Sequence, residues 1–102
     1  MDNICRELFR AIHEGKWLKI EYKNKNEETT RYWISVVDLE PYTRVLKVDG
    51  LHLGCYTVNR FEKIYIDSII SAEVVDGSFC ERNEKLIEDI AINPEKYVNI
   101  FE

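Results

Sequence analysis

The hydrophobic period of this chain changes twice, and that double change limits the folds open to it. In the first segment Ile4, Leu8, Ala11 and Ile12 fall on one helical face, widened by Cys5 and Phe9. Asp2 or Asn3 is placed to cap that helix, and Gly15 stands where a left-handed terminator belongs. From Lys16 the repeat becomes two: Leu18, Ile20 and Tyr22 alternate with Trp17, Lys19, Glu21 and Lys23, as in a half-buried strand. After a polar turn at 24–28, the β-branched and aromatic run 29–39 predicts a second strand. Residues 40–43 lead to a short third strand at 44–48, which Asp49-Gly50 is expected to end as a turn. Residues 51–60 read as a loop with some extended structure. Alternation resumes over 61–67, with Ile64 and Ile66 opposed to Lys63 and Tyr65, and a last strand runs from Ile69 to Val75. Helical spacing then returns in Leu86, Ile87, Ile90 and Ala91, and Asn93-Pro94 signals a restart before Tyr97, Val98, Ile100 and Phe101.

Short strands at roughly ten-residue spacing between helices predict a mainly β fold with flanking helices. The expected form is a small barrel of about five strands, with an open sheet covered by the first helix as the competing arrangement. Residues 1–79 would form the barrel with its N-terminal helix. Residues 80–102 would be a helical extension, its apolar face leading into a further domain.

Several function classes are disfavoured at this level. The chain of 102 residues holds no apolar run near the roughly 18 needed to span a bilayer, and its charged N-terminus is unlike a secretory signal, so a cytoplasmic protein with no membrane partner is expected. The net charge of −5 argues against nucleic-acid binding by bulk charge. Its distribution is uneven, however. Residues 76–102 carry three basic against seven acidic side chains, while residues 1–75 carry eleven against twelve and leave room for a local basic surface. Cys5, Cys55 and Cys80 are odd in number and form no CxxC, so free thiols are expected. His52 and Cys55 supply two metal-ligand types where tetrahedral zinc needs four, or three and a water. Nothing in the sequence activates Cys55 or Cys80 as a thiolate, and no glycine loop is built to cradle phosphate. The expectation is a non-enzymatic chain without cofactor or metal.

The better candidates are aromatic and basic residues on strands. Trp17 lies on the charged face of the first strand, Arg31 and Trp33 share a face of the second, Arg44 and Lys47 flank the third, and Arg60 leads into the fourth. Small barrels that hold single-stranded nucleic acid combine stacking rings with cations in this way.

The order of these elements resembles the WYL domain over residues 11–79. The likeness rests on AIHEGKWLKIEY, from Ala11 to Tyr22, and on the segment around Asp67 to Asp76. It implies an Sm-like, SH3-type barrel preceded by a helix. It also implies a bacterial regulatory or sensor module that binds nucleic acid or another anionic ligand, linked to a helicase-like or transcription-regulatory domain. Where the family carries its name-giving Trp-Tyr-Leu, this chain reads Val45-Leu46-Lys47, and family arginines align with Glu62, Tyr65 and Ser68. The cations left to hold a ligand are Arg31, Arg44, Lys47 and Arg60, with Trp33 as a stacking ring. The alternative is a protein-interaction or dimerisation module using strand edges or the apolar tail.

Overall fold

The computed structural model describes residues 2–101. Helix α1 (Asn3–Glu14) starts where Asp2 Oδ1 accepts the Cys5 N–H at 2.8 Å. It ends at Gly15, whose φ of 66° is left-handed and whose N–H donates to Ala11. A Cβ at Gly15 would stand 2.6 Å from Arg82 Cγ, so both conformation and space call for glycine there.

Five strands follow: β1 (Leu18–Lys23), β2 (Thr29–Glu40), β3 (Val45–His52), β4 (Thr57–Tyr65) and, after a 3₁₀ turn at Ile66–Ser68, β5 (Ile69–Val74). They form one antiparallel sheet in the order β4-β3-β2-β1-β5. Among the described residues no ladder joins β4 to β5, so the barrel is not closed. The expected mainly β domain with flanking helices is what forms.

One boundary differs from the sequence reading. Asp49-Gly50 does not turn the chain; β3 runs through it to His52, and the reversal comes at residues 53–56, where the Tyr56 N–H donates to His52 O. Gly50 serves close approach instead, since an added Cβ would lie 3.0 Å from Glu62 Oε2 and 3.6 Å from the Tyr32 ring. Asp49 fills a gap in the ladder by accepting the Phe61 N–H. The stretch read as a loop is therefore a hairpin of β3 and β4.

One face of the sheet builds the core, with Leu18, Ile20, Ile34, Leu46, Val48 and Ile64 fully buried. Leu8, Ala11 and Ile12 of α1 pack into it, with α1 lying chiefly on β5. Residues 78–83 then cross the end of α1 and the start of β1. Cys80 N–H donates to Gly15 O, Trp17 Nε1–H to Phe79 O, Arg82 to His13 O, and Asn83 Nδ2–H to Val37 O. Asn83 caps α2 (Glu84–Ile92) by accepting the Leu86 N–H.

A 3₁₀ turn at Pro94–Tyr97 leads into α3 (Val98–Phe101). Pro94 opens it as expected, but Asn93 does not cap with its side chain; it donates to Asp89 instead. Asp89 also accepts from Lys96 and Tyr97, and these donors hold its carboxyl down at about 2. Leu86, Ile90, Tyr97 and Ile100 are buried in the same core cluster as the sheet.

Candidate ligand-binding surface

The sheet face turned away from the core carries most of the residues singled out in the sequence. β2 places Arg31 opposite Glu21, and Trp33 between Lys19 on β1 and Leu51 on β3. Arg31 is exposed and Trp33 half-buried. On the neighbouring hairpin Lys47 stands directly opposite Lys63. Between the pairs Val48–Glu62 and Gly50–Asn59, β4 has two residues, Arg60 and Phe61, where β3 has only Asp49. This bulge sets Phe61 at a φ of 56°. Its ring is 59% exposed and lies 5.9 Å from Lys47 Nζ, within reach of a cation–π contact.

The candidates thus fall into two groups rather than one. The Leu53 N–H donates to Arg31 O, which marks the Arg31 row on the hairpin. From that row to Lys47 is six positions along the strand, roughly 20 Å at the usual rise. Between them Ser35 opposes Asp49, and these two line a groove of about 430 Å³ with Glu81, Arg82 and Glu84. Arg44 belongs to neither group. It has a φ of 58°, its Nε is 3.0 Å from Asp67 Oδ1, and its guanidinium also donates to Asn99 O. That side chain ties the start of β3 to the turn before β5 and to α3.

The cationic group on the hairpin is the more complete. Lys47, Lys63 and Tyr65 line a recess of about 420 Å³ together with Asp38, which stands opposite Lys47 on β2, and Glu40. Arg60 is exposed on the adjoining bulge. Among the described residues neither Lys47, Arg60 nor Lys63 takes part in an ion pair. Lys63, Phe61 and Tyr65 were not singled out from the sequence. The alternation over 61–67 did put Lys63 and Tyr65 on one face, but the register that brings Lys63 to Lys47 has no local signal.

The hairpin turn holds the thiol–imidazole pair. Cys55 Sγ lies 3.3 Å from His52 Nδ1 and 3.0 Å from Thr57 Oγ1. His52 Nδ1 also accepts the Gly54 N–H, so in the neutral ring the proton sits on Nε2. The Thr57 hydrogen bond lowers the Cys55 thiol below its ordinary value. Cys55 is exposed on the turn. Beside Gly50, Glu62 Oε2 is buried and has no hydrogen-bond partner among the described residues, and burial followed by that carboxylate pushes the Tyr32 hydroxyl up. Cys5, on the buried face of α1, is likewise raised by burial. Among the described residues no three His, Cys, Asp or Glu side chains gather to hold a metal, and no helix is long and apolar enough to cross a membrane.

No family model, curated protein or solved structure matches this chain.

Proposed function

We propose that the domain is a non-catalytic binding module whose β3–β4 hairpin takes an extended anion, such as single-stranded nucleic acid, and signals its presence to a linked domain. The observation that carries this reading is the Lys47–Lys63 pair. Like charges directly across a ladder oppose folding by roughly 0.2–1 kcal/mol, a cost that an anion lying between them removes. Phe61 adds an exposed ring beside the two ammonium groups, and Arg60 a forked donor, the combination that tracks a phosphate backbone and stacks its bases. The likeness of residues 11–79 to the WYL domain supports the same reading, as does the linkage to a helicase-like or transcription-regulatory domain that it implies.

The test is a titration with oligothymidine over a range of salt concentrations. Three phosphate contacts give a slope of log K against log salt near −2, and Lys63→Gln or Arg60→Gln reduces its magnitude by about 0.7 each. No binding at the lowest salt, or slopes unchanged by both substitutions, rejects the reading.

A second reading has its own support. β4 is an edge strand with one buried residue, Ile64, and with Val58, Phe61 and Tyr65 exposed. A partner strand, from a second copy or another protein, could add to that edge. Sedimentation distinguishes the self-association form: a concentration-dependent dimer supports it, and a monomer at high concentration removes it.

A further inference from the structure

We propose that Cys55, at the tip of the β3–β4 hairpin, is a modification site that exchanges with small disulfides, such as glutathione disulfide, and then carries a reversible mixed disulfide. A thiol reacts in this way when its sulfur is reachable, when a base takes its proton and when donors stabilise the thiolate. Cys55 meets all three conditions. It is exposed, on the turn at 53–56 in which Tyr56 adopts a φ of 54°. The base is His52, whose Nδ1 lies 3.3 Å from Cys55 Sγ. The Gly54 N–H donates to that same nitrogen, so Nδ1 is the unprotonated one of the neutral ring. A Cβ at Gly54 would stand 2.9 Å from His52 Cε1, so only glycine lets the imidazole lie this close against the turn. On β2 the Tyr32 ring meets the imidazole edge to face, at 5.1 Å and 88°. A nucleophile beside a base that is itself oriented by third groups is the general arrangement of an activated thiol. The donors come from Thr57, whose hydroxyl oxygen is 3.0 Å from the sulfur. That hydroxyl, and after it the Thr57 backbone N–H, hold the thiol below its ordinary value.

The other two thiols lack this setting. Cys5 is buried and its thiol is raised by that burial, and Cys80 is only partly exposed. The Lys47–Lys63 rung lies five positions along β3 from His52, so the thiol site and the proposed anion surface stand or fall separately.

The exchange balances with the disulfide as its one co-reactant. The Cys55 thiol gives its proton to His52 Nδ1, and Sγ attacks one sulfur of the disulfide. The new S–S bond forms as the old one breaks, and the departing thiolate takes the proton from the imidazolium. Cys55 is oxidised, and the reagent is reduced to one free thiol.

The test treats the full chain with glutathione disulfide and follows each cysteine by mass spectrometry of its peptide, across a range of pH. The expected result is an adduct at Cys55 that dithiothreitol removes, formed about ten-fold faster than at Cys80. At neutral pH Cys55 should also react about three-fold faster than in the same chain unfolded in urea. Thr57→Val slows the reaction about three-fold and moves the midpoint of its pH profile upward, and Thr57→Ser restores both. His52→Gln slows it about ten-fold at neutral pH. A Cys55 that reacts no faster than in the unfolded chain overturns the proposal. So does an adduct formed first at Cys5 or Cys80, or a rate indifferent to Thr57→Val or to His52→Gln.

Discussion

The two edge strands of the sheet, β5 and β4, face the same difficulty and meet it differently. Each presents one row of unpaired backbone groups. β5 is covered: α1 lies on it, and Ile69, Ala72 and Val74 are buried in its six residues. β4 is bare: of nine residues only Ile64 is buried. In place of a lid it has a bulge at Arg60-Phe61 and the charges of Arg60 and Lys63, devices that discourage indiscriminate strand pairing. The difference divides labour. The β5 side holds the fold together, and in the proposed function the exposed β4 side is the one that meets a ligand.

The strongest challenge to that division is a pair of truncations. Ile69→Ala on β5 is expected to cost about 3 kcal/mol, and Val58→Ala on β4 less than about 0.5, both by urea unfolding. Comparable losses would mean that β4 is as structural as β5. Next is the helix that covers β5. Gly15→Ala forces a side chain into a left-handed position against Arg82, and a loss of roughly 1–2 kcal/mol is expected. An unchanged midpoint would show that the seam between α1 and residues 78–83 bears no load.

A smaller effect belongs to the start of the same helix. Asp2→Ala removes the cap and should cost about 1 kcal/mol at neutral pH. The Cys5 N–H, the largest cause, holds the Asp2 carboxyl below its ordinary value of 3.8. A lowered folded value means the stabilisation is present above about pH 4 and is lost as the pH falls through the folded value. Melting curves of the two proteins should therefore converge in acid, and a gap that persists there would contradict the cap. The smallest effect is on β4, with reversed sign. Lys63→Glu replaces repulsion of Lys47 by attraction and should stabilise by a few tenths of a kcal/mol while weakening anion binding. Loss of stability would show that Lys47 and Lys63 do not repel in the free protein.

The comparison also explains what could be read from sequence. α1, β1, β2 and β5 were legible because each has a buried face, so Leu8, Leu18, Ile34 and Val74 impose their periods on the letters. The second half of β3 and the first half of β4 were not, because that part of the hairpin has little core to write an alternation. Asp49-Gly50 misled for a related reason: the glycine is there for Glu62 and Tyr32, across the sheet, and not for a turn. The candidate surface was half legible. Lys47 and Arg60 stand out as cations on strands, whereas pairing Lys47 with Lys63 requires a register set by a bulge. Arg44 looks like the others in sequence, and only the fold reveals its engagement with Asp67 and Asn99.

β1 pairs on one side with β2, its neighbour in the chain, and on the other with β5, so Leu18 lies between Ile34 and Val74. The hairpins from β1 to β4 can assemble from local contacts as the chain leaves the ribosome. The β1–β5 ladder must wait until Ile69–Val74 has emerged, and closing so long a loop carries a larger entropic toll. Until then α1 has little to rest on, and a nascent chain cut short before Ile69 would expose β1 as a second raw edge.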